Sequence, residues 1–357
     1  MISNKILIID KHRFGNLTDS YKWCEHLSKL GYDVSIVCFE SENNIRKIDN
    51  VTVFEVPILK NKFLRGLAFI FISLFQILKF KGFIFVIYFE NCKIYKLLFK
   101  NRKIHLDIRT LSVSPDEETR KKFNLNLINT CKLYDTISVI SEGIKLSINL
   151  PDKNIYILPL GSDIISLSPK NYSSIRLLYV GTLTNRNIED TIEGLAMYIK
   201  KNNNSFNIKY DIVGDGYYNE IEKLKALTNK LKLQDIVTFH GRVQHSNLEY
   251  FFNNCNIGIS YVPITDYFEN QPPTKTFEYV LSGLFTIATE TNANKEVISN
   301  LENGFLITDN SAAFCSALEY ISLNLTNLKE EQIRNSLSKY SWRNIVKNYL
   351  IPIIQNN

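Results

Sequence analysis

IRLLYVGTLTNRNIEDTIEGL, Ile175 to Leu195, decides how this chain is built: an apolar run ends at Gly181, a short polar loop follows, and a helical pattern starts near Asn187. A short apolar run bounded by glycine reads as a strand buried on both faces, and strand, loop and helix in alternation build parallel sheets covered by helices. The same alternation runs through the whole chain. Strands are expected at 5–10, 33–39, 51–56, 83–89, 103–108, 136–141 and 155–160, and the pattern restarts at 175–181, followed by 207–214, 236–241, 257–262, 285–289 and 305–308. Between the blocks lies GSDIISLSPKNYSS, Gly161 to Ser174, a polar stretch that marks a seam. The fold class is therefore α/β, with two Rossmann-like domains, and a cleft between two such domains is the default place for a ligand.

Composition supports this and excludes other classes. At 357 residues and 45% hydrophobic content the chain can fill two cores, since domains run to roughly 100–200 residues each. The start, MISNKILIIDKHRFG, turns apolar early but breaks at Asp10, so it reads as a first strand rather than a signal peptide. Its six cysteines are scattered, with no CxxC and no zinc-type spacing, which fits a reducing, cytoplasmic compartment and predicts neither a disulfide framework nor a metal site. GxGxxG after the first strand, GxxxxGK[ST] and GxSxG are all missing, so dehydrogenase, P-loop and α/β-hydrolase readings lose their main support.

Two segments of the second half carry chemistry. Gly181 and Arg186 bracket a loop at a helix start, where backbone amides, the helix dipole and a bidentate guanidinium suit a phosphate; an ordinary loop with a solvated arginine is the other reading. In NQPPTKTFEYVLSGLFTIAT, Pro272 and Pro273 precede a helix that Thr274 or Thr276 is placed to cap. Lys275 and Glu278, three apart, share a face of that helix: the lysine suits a diphosphate and the carboxylate suits sugar hydroxyls, or the two are a surface ion pair.

VGTLTNR, IVGDG, VTFHGRV, PPTKTFEYVLSG with FTIAT, KEVI and NGFL occur in this order. Together they make the chain resemble the retaining GT-B glycosyltransferases of family 4, most specifically over residues 175–308. The resemblance implies the GT-B fold, with domains 1–165 and 166–340 facing each other across a cleft and a last helix, 341–357, returning to the first domain. It also implies a donor site. Arg186 and Lys275 match the basic pair that binds the donor diphosphate, Glu278 matches the glutamate that binds the ribose, Gly15 matches the loop that closes on the donor sugar, and Gly181, Thr182 and Thr276 belong to the same motifs. Base contacts are expected around Gly241 to Val243 and Tyr261 to Pro263. Two positions depart: Asn270 stands where the family usually has its first glutamate, with Glu269 one position earlier, and Thr182 stands where many members have arginine.

What the resemblance implies is transfer of a sugar from a nucleotide-diphosphate sugar, with retention and without a metal or other cofactor, Arg186 and Lys275 stabilising the leaving group. A nucleotide-sugar epimerase of similar architecture and a catalytically silent partner protein are the competing readings. On the first domain, His105, Asp107 and Arg109 alternate and so share a strand face. Either Asp107 serves catalysis by contacting acceptor or donor, or it pairs with Arg109 at the strand end; His105 reads as a satisfied, partly buried histidine.

Charge is uneven. Residues 1–165 hold 24 Lys and Arg against 17 Asp and Glu, and between Lys60 and Lys103 ten basic residues face only Glu90. Inside that stretch FLRGLAFIFISLFQILKF, Phe63 to Phe80, is too short an apolar run to span a bilayer and is either a core helix or a basic interfacial helix. The second reading gives an anionic membrane surface as partner of residues 60–103. It places the enzyme at the cytoplasmic face of the membrane, acting on a glycan or lipid-linked acceptor in bacterial surface polysaccharide synthesis. No nucleic-acid module is present to claim the basic patch.

Overall fold

The computed structural model describes residues 4–41, 47–151, 153–202, 207–217 and 219–356. The chain divides into two compact units, Met1–Leu160 with Trp342–Asn357, and Gly161–Ser341. In the first, strands β1 (Lys5–Arg13), β2 (Asp33–Phe39), β3 (Val51–Val56), β4 (Phe83–Ile87), β5 (His105–Ile108), β6 (Thr136–Val139) and β7 (Asn154–Ile157) form one parallel sheet in the order β3-β2-β1-β4-β5-β6-β7. In the second, β8 (Ile175–Val180), β9 (Ile208–Val213), β10 (Val237–Gly241), β11 (Ile257–Ser260), β12 (Phe285–Thr289) and β13 (Gly304–Ile307) form another, ordered β10-β9-β8-β11-β12-β13.

Each order reverses beside its first strand, β1 or β8. At such a switch point the following connections leave in opposite directions and open a crevice at the carboxyl ends of the strands. The apolar runs are buried accordingly, Ile6 to Ile9 in β1 and Phe285 to Thr289 in β12 being inaccessible along their whole length. Some expected strands end early because a polar residue has other work. Ser141, placed in a strand by sequence, instead caps the helix Glu142–Ile148 by accepting from the Ile144 amide.

The seam lies at its first residue. The Ser162 amide donates to the Tyr340 carbonyl at 2.9 Å and the Ile165 amide to Ser282 Oγ at 3.0 Å, which ties residues before the expected 165/166 boundary to the second unit. After Ser341 the chain returns to the first unit, where Trp342–Ile345, a wide turn at Val346–Leu350 and Ile351–Gln355 pack on the helix Thr18–Lys29. Pro352, which has no N–H to donate, follows the wide turn.

Helix Lys62–Lys79 is more than a core helix. Phe69, Ser73 and Ile77 face inward, whereas Leu64, Leu67, Phe71, Phe75 and Leu78 form a second apolar stripe open to solvent, Phe71 being 72% exposed. Among the described residues no helix is long and apolar enough to cross a membrane.

One close approach positions the chemistry of the second unit. Helix Thr274–Leu281 lies on β11 with the Tyr279 ring directly over Gly258, where any Cβ would overlap the ring. Tyr279 stacks on Phe252, and its hydroxyl accepts the Val180 amide of β8 at 2.7 Å. Gly258→Ala is expected to destabilise the second unit by about 1–3 kcal/mol through overpacking. Urea unfolding reads this, and an unchanged midpoint would contradict the account.

Candidate active site

Three adjacent strands end on glycines with positive φ: Gly181 after β8, Gly214 after β9 and Gly241 closing β10, at 147°, 151° and 65°. Only glycine adopts the first two at little cost, and at Gly214 a Cβ would also collide with the Gly181 carbonyl. The loops that follow are tied together, Leu183 donating its amide to the Asp215 carbonyl (3.0 Å) and Tyr217 its amide to Thr184 Oγ1 (2.7 Å). Above this glycine floor is a cavity of about 520 Å³, walled by Thr182, Asp215, Tyr217, Arg242, Val243 and His245.

Lys275 stands at its edge. Its ammonium would lie 3.3 Å from a Cβ on Gly181 and sits 3.8 Å above the Tyr179 ring. Burial pushes its pKa well below the usual lysine value; repulsion from Arg186 lowers it further, and Glu278 opposes both. Arg186 is flanked by left-handed Asn185 and Asn187, and its guanidinium lies 4.3 Å from the Phe268 ring. Asn187 precedes helix Ile188–Lys201 with no side-chain cap. Among the described residues neither side chain forms a salt bridge: two basic groups are held near each other, partly desolvated, and Lys275 lies beside a loop that can approach an anion closely. Glu278, one turn along from Lys275, points a carboxylate oxygen to within 3.8 Å of His245 Nε2 on the cavity wall.

Other expected donor residues are placed differently. Thr276 is fully buried: its hydroxyl bonds to Ser260 Oγ (2.6 Å) and Asn294 Oδ1 (3.0 Å), and its amide donates to Pro273, so it has nothing left for a ligand. Nor does either threonine cap the helix, which begins after Pro273 without a side-chain cap. Glu269 accepts the Asn292 amide (2.9 Å), and Asn270 Oδ1 accepts from Asn292 Nδ2 (3.3 Å), which fastens this stretch to helix Asn292–Lys295. Of the expected base contacts, Arg242 and Val243 line the cavity, while Tyr261 is buried with its hydroxyl on Asp190 (2.8 Å). Asp215 and Tyr217 had no assigned role in sequence; the double glycine of IVGDG was their only signal. Among the described residues no group of three His, Cys, Asp or Glu side chains is placed to hold a metal.

In the first unit, Gly15 sits in the loop after β1 with φ 87°. Asp107 is not a solvent-facing catalytic group, contrary to expectation. It is fully buried, accepts from Ser138 Oγ and lies 3.7 Å from Arg109 Nε; burial pushes its pKa up to about 6 against the pull of Arg109 and Ser138. Arg109 in turn donates to Asp19 (2.5 Å) and the Leu158 carbonyl (2.8 Å), so the pairing reading describes this face. His105, bonded to Thr136 and Ser138 and driven to a pKa of about 3 by burial, stays neutral. At the end of β1, buried Asp10 holds His12 Nδ1 at 2.6 Å and raises its pKa; the i,i+2 spacing was the available sequence signal.

Residues 174–324 match the family model of the glycosyl transferases group 1. That stretch contains every expected donor residue of the second unit. The whole chain is similar in fold to sucrose-phosphate synthase from Thermosynechococcus elongatus (TM-score 0.75, 15% identity, covering 99% of this chain and 98% of that one). It is similar also to Anabaena HepE in complex with UDP and glucose (0.75, 13%, 99% and 100%) and to the lipopolysaccharide outer core galactosyltransferase WaaB in its apo form (0.71, 16%, 99% and 100%). The fold is thus that of GT-B glycosyltransferases. None of the curated proteins shows significant sequence similarity.

The lowered lysine pKa has a consequence for anion binding. An anion bound beside Lys275 restores its charged form, so above neutral pH, where phosphates are already ionised, binding takes up a proton and affinity falls as pH rises through the free-state value. Calorimetry with UDP in buffers of different ionisation enthalpy measures this uptake. Uptake that persists in Lys275→Ala would assign it to another group.

Proposed function

We propose that the chain is a retaining, metal-independent glycosyltransferase of the family 4 type, which moves a sugar from a nucleotide diphosphate to a glycan or lipid-linked acceptor in bacterial surface polysaccharide synthesis. The observation that carries this reading is the buried Lys275 beside Gly181, with the Arg186 guanidinium near it and, among the described residues, no salt bridge to either. In the transfer the bond from the anomeric carbon to the diphosphate oxygen breaks, its electron pair leaves on the diphosphate, and the acceptor oxygen forms the new bond as its proton passes to the departing diphosphate. Negative charge grows where the two cations stand. Fixed charges in a site of low dielectric, already oriented, stabilise it at little reorganisation cost, and the proposal assigns them the work a divalent metal would otherwise do. Glu278 holds the ribose hydroxyls, and the glycine floor admits the flat nucleotide.

The setting proposed is the cytoplasmic face of the membrane. Its support is the exposed stripe of helix Lys62–Lys79 together with the basic excess from Lys60 to Lys103. Apolar side chains enter the headgroup boundary while neighbouring cations, each contributing about 1 kcal/mol, meet anionic lipid.

Thermal-shift screening with UDP, GDP, ADP and dTDP should raise the melting temperature for one base, and Glu278→Ala should weaken that binding by about 1–3 kcal/mol. Lys275→Ala should lower kcat about a hundredfold or more; transfer at the parental rate would defeat the assignment. For the membrane setting, Phe71→Ser/Phe75→Ser should sediment several-fold less with phosphatidylglycerol vesicles than wild type while keeping its nucleotide response. Equal sedimentation would remove the stripe from the proposal.

A further inference from the structure

The first unit holds a second cavity, also of about 520 Å³, at the carboxyl ends of β1 and β2 under the start of helix Lys62–Lys79. Among the described residues its charged lining is basic, consisting of Lys11, Arg13, Lys62 and Arg65, with Asn16, Phe39, Ile58 and Gly66 beside them. Lys11 lies 5.0 Å from the Phe89 ring and Arg65 5.9 Å from the Phe39 ring, so both are held by neutral aromatic faces that leave the positive charge uncancelled. Among the described residues Lys11, Lys62 and Arg65 form no salt bridge. Glu40, the acid beside Phe39, is engaged by the Ile58 amide at 2.8 Å. The helix end itself adds little, because Asn61 Oδ1 already takes the Phe63 and Leu64 amides. A Cβ on Gly66 would meet nothing within 4 Å, which marks open space against the helix.

Lys11, Lys62 and Arg65, converging on one cavity without a salt bridge among the described residues, suit a ligand with more than one negative charge, and arginine with lysine is the combination that recognises phosphate oxygens. The outer face of the same helix is the exposed apolar stripe. We propose that this cavity binds the diphosphate of a lipid-linked acceptor, so that the first unit selects its acceptor by the phosphate end. Its role as an acceptor site rests on the transferase reading above; its capacity to bind diphosphate does not.

Calorimetry with inorganic pyrophosphate tests the site on the full chain, comparing wild type, Lys275→Ala, Lys62→Ala/Arg65→Ala and Gly66→Leu. Leucine at 66 fills the cavity without removing charge and favours the helix, so this variant should fold. Wild type should show a pyrophosphate site that survives Lys275→Ala and weakens at least tenfold in both other variants, with the response to nucleotides kept. Unchanged binding in both overturns the proposal. Failure of the donor reading would appear separately, as wild type giving no thermal shift with any nucleotide. Flotation with phosphatidylcholine vesicles carrying a polyprenyl diphosphate decides the source. Preference for these vesicles over plain ones, abolished by Gly66→Leu, supports the lipid-linked ligand, and pyrophosphate binding without such a preference overturns it.

Discussion

The contact on which the second unit depends is the hydroxyl of Tyr279 on the Val180 amide, reached by laying an aromatic ring across a strand that has no side chain at Gly258. It locks helix Thr274–Leu281 against the end of β8. Lys275, one turn earlier, is thereby brought to Gly181, and Glu278 is turned toward the wall formed by His245. A lysine forced into that position loses water, and its pKa falls. An anion bound beside this lysine would favour its charged form.

The first unit spends its buried charges differently. Asp19, Arg109 and Asp107 form an interior network in which Asp107 Oδ2 and Arg109 Nε face each other at 3.7 Å without a hydrogen bond. Buried ion pairs gain little net stability, but removing one member strands its partner. These residues hold the ends of β5 and β7 to the first helix. Other cations of the same unit, Lys11, Lys62 and Arg65, line an open cavity beside a helix with two apolar faces and form no salt bridge among the described residues.

How much of this could be read beforehand depended on whether a feature is local. Runs such as Ile175 to Val180 and Phe285 to Thr289 declare themselves as buried parallel strands because both faces must be apolar. The placement of Lys275 and Glu278 was legible for a related reason, since residues three apart on a helix share a face. Thr276 sits in the same motif, but its direction on the helix takes it into the core, where Asn294 and Ser260 satisfy it. Asp107 misled for the complementary reason, since alternation shows which residues share a face of a strand but not which elements cover that face.

By itself the sequence determined two α/β units, the strand and helix order within them, and the pair Lys275 and Glu278 on one helix face, because these follow from periodicity and short-range geometry. Tertiary structure alone decided that helix Lys62–Lys79 keeps an apolar stripe in solvent and that Lys11, Arg13, Lys62 and Arg65 line one cavity. Those outcomes join residues far apart in the chain, and only packing determines which charges are stripped of water and which are left facing it.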